Sequence, residues 1–407
     1  MSVGFIKTMR VLHVIPSISP LNGGPSFALH ALVRSLAVLG IDVAVATTDD
    51  HGSAHLAVPS GSPVRWEGVN YHFFHRKLRP YTFAPGIFPW LAANTAKYDL
   101  VHIHSLFSFT STTAGWVARL TGTPYVVQPH GSLGVWGIKQ RRPAFKQLSL
   151  RLAELPILRH AATVYLNTER EVEEMHAVGI RASSDVINYA IDFPVIDRAR
   201  FASLFHDYYA DLSNNKLILF LSRLHPKKGL DMLLPAFKSV LAAVPDAVLL
   251  LVGDGDPAYV AQLRKLAEEL GISNSVRFMG FLSGDLKWGA FAAAKVFVLP
   301  SYSENFGIAP IEAMATGTPV VVSDQAAVCK EVEKCSGGIV VPCNTEAFAK
   351  AIGTLLSNPD QPDQWGENAK TVIHRFSAIE VARETARLYE RILHSVKETT
   401  PVNIPSR

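Results

Sequence analysis

The feature that most constrains this chain is a pattern that occurs twice: short apolar runs separated by longer segments of helical periodicity. The first series opens at Arg10-Val11-Leu12-His13-Val14-Ile15 and continues through residues 43–47, 100–103, 125–128, 163–166 and 185–187. A glycine-bearing turn and an amphipathic helix from about residue 26 to 39 follow its opening run. The second series runs through 217–221, 247–252, 276–279, 296–299, 319–322 and 338–341. Short apolar runs of this kind are strands buried on both faces, which a parallel sheet covered by helices provides. Two such series in 407 residues exceed one ordinary core. The fold class expected is therefore α/β, with two Rossmann-like doubly wound domains facing a cleft. The expected extents are 1–195, 196–377, and a C-terminal stretch 378–407 holding a helix from about 378 to 396 and a frayed tail. The seam falls in the irregular, aromatic-rich stretch 188–215. Ligands of such sheets bind beyond the carboxyl ends of the strands.

One strand end carries the most specific chemistry. After the run 296–299 come Pro300 and Ser301, then Glu304-Asn305-Phe306-Gly307-Ile308-Ala309-Pro310-Ile311-Glu312, leading into a small-residue helical segment. A helix N-terminus presents free N–H groups and the positive end of its dipole, a seat for phosphate. Two carboxylates flanking that seat suit hydroxyls instead, as charged acceptors. A ligand carrying both phosphates and hydroxyls is a nucleotide sugar.

Other strand ends supply complementary groups. Ser222-Arg223-Leu224-His225-Pro226-Lys227-Lys228-Gly229 follows the first strand of the second series. Arg223 offers a planar fork and Lys228 a mobile point charge, together able to neutralise a diphosphate without a metal. The plain alternative is a solvated basic turn. In Gly253-Asp254-Gly255-Asp256 the glycines Gly253 and Gly255 suit close approach to a ligand, and the Asp-x-Asp is not expected to hold a metal. In the first series, Asn22-Gly23-Gly24-Pro25-Ser26 lacks the G-x-G-x-x-G spacing of a dinucleotide site. Gly23 and Gly24 still let backbone approach a ligand; the alternative is a plain strand-to-helix turn. In Gln128-Pro129-His130-Gly131-Ser132, His130 can donate to a sugar hydroxyl or a phosphate. His102 and His104 alternate on one strand, and His104 is equally a candidate for the cleft and for a structural role.

Bulk properties narrow the class. No apolar run reaches the ~18–20 residues of a membrane span, and no signal peptide is read at the N-terminus, so a cytoplasmic protein is expected. Cys329, Cys335 and Cys343 match no zinc spacing and read as small buried hydrophobes. Residues 1–190 hold 17 Lys/Arg against 11 Asp/Glu, a net +6, while the remainder is −2. That asymmetry points to an anionic partner of the first half, or to an unevenly charged solvated surface.

Taken together, these motifs resemble the retaining glycosyltransferases of GT-B fold known as family 4, also called group 1. The resemblance covers about residues 10–395 and rests on Gly23-Gly24-Pro25, Pro129-His130-Gly131, Ser222-Arg223 with Lys228-Gly229, Gly253-Asp254-Gly255, and the E-x7-E pair Glu304 and Glu312 around Phe306-Gly307. It implies that Arg223 and Lys228 hold the diphosphate with the backbone of Asn305, Phe306, Gly307 and Ile308. It further implies that Glu312 takes the ribose hydroxyls, that Glu304 and His130 act at the donor sugar, and that the base lies near Phe281 and Leu282. Gly24 would let the first loop reach the phosphates, and no metal or separate cofactor is required. In the implied mechanism the acceptor attacks on the leaving-group face, the diphosphate accepts its proton, and configuration is retained. One departure stands out. Where the family often has Pro-Asn-Gly-Val-Asp between the domains, this chain has Ile187-Asn188-Tyr189-Ala190-Ile191-Asp192, keeping Asn188 and Asp192 but replacing glycine by Tyr189 or Ala190, a departure expected to bear on the hinge geometry rather than on the chemistry.

The donor expected is UDP-glucose, with GDP-mannose as the alternative, in bacterial exopolysaccharide or lipid-linked glycan assembly. The acceptor hint is the stretch 139–152, where basic residues mix with Phe145, Leu148 and Leu152, with Trp136 just ahead. Such a face suits peripheral association with an anionic membrane, at the inner face of the plasma membrane, and a lipid-linked acceptor. An ordinary amphipathic helix packed on the first domain is the competing reading. No nucleic-acid partner is expected. A sugar-nucleotide epimerase, a phosphorylase and a non-catalytic sugar-binding relative are the competing classes.

Overall fold

Continuous burial along most strands sets the architecture. The computed structural model describes residues 9–59, 62–134, 147–357, 368 and 371–399. These divide into two compact units. One runs through Asp192 and resumes at Phe376; the other is Phe193–Arg375.

In the first unit the strands are β1 (Arg10–Ser17), β2 (Asp42–Thr48), the short hairpin β3 (Asp50–His51) and β4 (Ala54–His55), β5 (Val64–Trp66), β6 (Val69–Phe74), β7 (Leu100–His104), β8 (Tyr125–Gln128), β9 (Thr163–Leu166) and β10 (Ser184–Val186). Eight of them form one sheet in the order β10-β9-β8-β7-β1-β2-β6-β5. All neighbours are parallel except the edge pair β5–β6. The strand β6 went unread in the sequence because it alternates buried with half-buried residues, as fits its place beside the antiparallel edge. Two apolar layers cover the two faces of the sheet. One gathers Leu29, Leu32 and Leu36 of the helix Gly24–Val38 with Val381, Leu388, Tyr389 and Ile392 of the helix Ala378–Thr399. The other gathers Ala114, Val117 and Ala118 of the helix Phe109–Thr121 with Ile157 and Leu158. The last helix thus belongs to the first unit, although 183 residues of the second unit separate it from the rest.

The second unit has β11 (Lys216–Leu221), β12 (Ala247–Val252), β13 (Val276–Gly280), β14 (Val296–Leu299), β15 (Val320–Ser323) and β16 (Gly338–Val341), in the parallel order β13-β12-β11-β14-β15-β16. The middle strands are buried end to end, as expected where helices cover both faces.

Candidate active site

Each strand order reverses at one place, and that place selects the loops that can hold a ligand. In the second unit the reversal lies between β11 and β14. The loops leaving their carboxyl ends are Ser222–Gly229 and Pro300–Gly307, which carry Arg223, Lys228 and Glu304. In the first unit the reversal lies between β1 and β7. The Gly23-Gly24 loop follows β1, and His104 ends β7.

Backbone interlocking holds the second-unit loops. Leu224 N–H donates to Asp254 O at 2.8 Å, Gly253 N–H to Gly280 O at 2.8 Å, and Tyr302 N–H to Lys227 O at 2.9 Å. Ala327 N–H and Val328 N–H donate to the carbonyls of Glu304 and Phe306, each at 3.1 Å. These contacts give a reason for two glycines. A Cβ on Gly253 (φ 128°) would lie 2.1 Å from Ser222 O, and one on Gly255 would lie 2.3 Å from Leu224 O. A close approach that requires glycine there is the one to the neighbouring loop's backbone. Gly229 repeats the pattern, its Cβ falling 2.1 Å from Pro300 O. Gly307 (φ 92°) caps the helix Ile308–Ala315, which carries Glu312 in its second turn.

The charges in these loops come in pairs. Lys228 donates to Glu304, both side chains being mostly buried. Burial pushes the Glu304 carboxyl up, but the charge and hydrogen bond of Lys228, the charge of Lys227 and the Asn305 N–H outweigh it and hold it below the usual range. Glu304 is therefore ionised at neutral pH. Glu312 accepts from Lys287 Nζ at 2.8 Å, and Lys287 lies over the Trp288 ring at 4.5 Å. Arg223 is exposed and has no ion pair among the described residues. Phe306 is buried, so its backbone is what it can offer; Phe281 is 59% exposed and Leu282 is buried. Lys287 was missed by sequence reasoning. It lies within the helix Gly284–Ala293, and only the tertiary placement of that helix brings it to Glu312.

In the first unit four imidazoles and two phenols gather along β1 and β7 and just beyond β8. His13 Nδ1 shares a hydrogen bond with His104 Nε2 at 2.9 Å, and His104 Nδ1 with His130 Nε2 at 3.1 Å. His130 Nδ1 shares one with Tyr189 Oη at 3.1 Å, and His102 Nδ1 one with Tyr389 Oη at 2.6 Å. Burial lowers His13 and His130 to about 3 and takes His102 and His104 well below their usual range, so all four are neutral. His130 sits at φ 51° and Gly131 at φ 71°. A left-handed non-glycine residue of this kind persists only where its surroundings hold it. Glu171 is one such support. It accepts from the N–H groups of Asn167, Gly131 and Thr168. His104 is thus placed in one network with His130. Gly23 adopts φ 74° just before the helix Gly24–Val38, with open space where a Cβ would be.

Other expectations resolve simply. Asp256 caps the helix Pro257–Glu269 by accepting from Ala258 N–H at 2.9 Å, a structural use of that carboxylate. None of the three cysteines is in a disulfide, and only Cys335 is buried; Cys329 and Cys343 are half-buried, so the reading of all three as buried hydrophobes holds for one. Of the basic stretch 139–152, residues 139–146 lie outside the described residues, as does Trp136; Leu148 and Leu152 are exposed. Among the described residues no helix is long and apolar enough to cross a membrane.

A family model described as "Glycosyl transferases group 1" matches residues 209–372, and one described as "Glycosyl transferase 4-like domain" matches 23–189. A curated relative, the D-inositol 3-phosphate glycosyltransferase of Corynebacterium urealyticum, is 28% identical over 97% of this chain and 98% of its own. Among solved structures, Anabaena Alr3699/HepE in complex with UDP and glucose aligns with TM-score 0.74 at 21% identity, covering 94% of this chain and all of that one. The sucrose-phosphate synthase of Thermosynechococcus elongatus aligns with TM-score 0.74 at 22% identity, covering 95% and 100%. The two Rossmann-like units have the GT-B fold, and the chain is a glycosyltransferase whose residues 23–189 and 209–372 match the 4-like and the group 1 glycosyltransferase domains.

Proposed function

We propose that this enzyme transfers a hexose from a UDP-sugar, UDP-glucose first, to a phosphate-bearing acceptor with retention of configuration. The observation that carries the donor reading is the pairing at the second unit's strand reversal. Arg223 is open there, and Lys228 is held beside Glu304 at the foot of the Gly307-capped helix. A diphosphate seated on the helix N-terminus would draw on Arg223 and Lys228, whose charge would stabilise the departing nucleoside diphosphate as its own charge develops. Lys228 would then be shared between Glu304 and the diphosphate. Glu304 would be left with oxygens to accept from sugar hydroxyls. Glu312 has one oxygen on Lys287 and the other available to the ribose. His130 would act at the donor sugar, and Gly23 and Gly24 would leave room for the phosphates. The backbone of Asn305, Phe306, Gly307 and Ile308 would complete the phosphate seat, with the base against Phe281 and the backbone at Leu282. No metal is needed for this charge balance. The acceptor's hydroxyl would lose its proton to the diphosphate as the new glycosidic bond forms on the face the diphosphate leaves.

Two observations favour a phosphate-bearing acceptor: the +6 net charge of residues 1–190, and curated relatives named for D-inositol 3-phosphate. A lipid-linked diphosphate sugar of polysaccharide assembly presents the same chemistry, and would place the enzyme at the inner face of the membrane. The test is acceptor-dependent UDP release with UDP-glucose and GDP-mannose as donors. Inositol phosphate and a lipid-linked diphosphate sugar serve as acceptors. Release of GDP but not UDP would overturn the donor reading, and equal rates with neutral acceptors would overturn the acceptor reading. Arg223→Ala and Glu304→Ala should each lower kcat on the order of 100-fold; if both leave it intact, the site assignment is wrong.

A further inference from the structure

Tyr189 stands in the stretch Ile187–Asp192, and the structure gives it a use. We propose that Tyr189 is a positioning residue for His130, fixing the orientation and the tautomer of its ring; this rests on the reading that His130 acts at the donor sugar. The Tyr189 hydroxyl lies 3.1 Å from His130 Nδ1, and the two rings stack at 5.7 Å with 17° between their planes. On the other side His104 holds Nε2 at 3.1 Å. A ring bonded at both nitrogens cannot turn without breaking one of those bonds. The two residues also line a cavity of about 10 Å³ together with Gln128, Tyr165 and Asn188, space for about one water, so the ring has nowhere else to go.

The network also has a direction. Among the described residues, His13 Nε2 is buried without a partner. An orphaned N–H is rarer and costlier than an orphaned lone pair, so the proton of His13 belongs on Nδ1. It is then donated to His104 Nε2. His104 Nδ1–H is donated in turn to His130 Nε2, and His130 Nδ1–H to the Tyr189 oxygen, which holds that proton where a hydroxyl of the donor sugar would share it. All three imidazoles are neutral, so each carries one proton and the tautomers are linked. Removing the Tyr189 hydroxyl leaves the His130 Nδ1–H without its acceptor. The way to relieve this is to shift His130 to the Nε2–H form, reversing the chain toward His13.

The experiment is nitrogen-15 NMR of histidine-labelled full-length protein, with the His130 signals assigned through His130→Ala, alongside steady-state kinetics. Wild type should show His130 in the Nδ1–H form. Tyr189→Phe, which keeps the ring, should move it toward Nε2–H and lower kcat about 3- to 10-fold, the worth of one hydrogen bond. The donor KM should change less than kcat, because the groups that hold the diphosphate and the ribose are untouched. Tyr189→Gly should lower kcat at least as much. If His130→Ala impairs transfer while Tyr189→Phe changes neither tautomer nor kcat, the positioning role is overturned. If His130→Ala leaves kcat intact, it is the donor-site reading that fails.

Discussion

At the scale of single residues, the clearest consequences come from groups whose neighbours no motif announces. Glu171 is buried against Asn167, Gly131 and Thr168, and burial raises its carboxyl from 4.5 to about 7 despite the three N–H groups it accepts from, with the charge of Glu174 adding to the rise. Between those values the native state keeps a proton that the unfolded state has lost. The stability this group contributes is therefore full below about pH 4.5 and declines as pH rises through about 7. A shift of that size corresponds to about 3 kcal/mol. Comparing Glu171→Gln with wild type by urea unfolding isolates the effect. The variant should gain about 3 kcal/mol relative to wild type between pH 4.5 and pH 8, and a difference independent of pH would refute the assignment. Gly253 gives a second test. Its φ of 128° and the 2.1 Å approach to Ser222 O predict that Gly253→Ala costs at least ~2 kcal/mol of stability. Because the clash pushes on the residue before Arg223, donor binding should weaken in the same variant. Thermal denaturation and UDP titration read the two effects. Neither glycine's reason was legible in the sequence. A ligand and a neighbouring backbone demand the same absent side chain, and only the position of Ser222–Leu224 reveals the second.

At the scale of elements, what could be read was what local chemistry dictates. The runs 247–252 and 296–299 coincide with strands, because six and four consecutive buried residues admit few other conformations. The turn at Glu304–Gly307 and the helix behind it were likewise marked by glycine, proline and small residues. What escaped was pairing between elements. The expected helix at 26–39 is Gly24–Val38, a shift of a residue or two, whereas β6 and the Lys287–Glu312 pair were absent from the reading altogether. Lys287 belongs to one helix and Glu312 to another, so their meeting is a property of how two helices pack on one sheet. That pairing makes a prediction. If Lys287 orients Glu312 toward the ribose, Lys287→Ala and Glu312→Ala should each weaken UDP binding by about 3- to 10-fold. The double variant should do little worse than either alone. Isothermal titration of the four proteins gives the coupling directly; strictly additive losses would mean that the pair has no joint role in binding.

At the scale of the whole molecule, the chain order and the packing order differ. The first unit is complete only when the helix Ala378–Thr399 returns to it, after the second unit has been built. That helix places Val381, Ala382, Leu388, Tyr389 and Ile392 in the layer that also holds Leu29, Leu32 and Leu36. Tyr389 is fully buried, and its hydroxyl meets His102 Nδ1 at 2.6 Å. Truncating so large a buried side chain costs about 3–5 kcal/mol, and Tyr389→Ala would also strand His102 Nδ1 in the interior. Tyr389→Phe separates the two contributions. It keeps the packing and loses only the hydrogen bond, a cost of about 1–3 kcal/mol. If the units unfold separately, these losses fall on the first unit, because the apolar layer that holds Tyr389 belongs to it. The measurement is urea unfolding followed by fluorescence and, in parallel, by retention of UDP binding. Tyr389→Ala should move the transition to lower urea while UDP binding survives to its original midpoint. Loss of both signals together would show instead that the return of the last helix couples the stability of the two units.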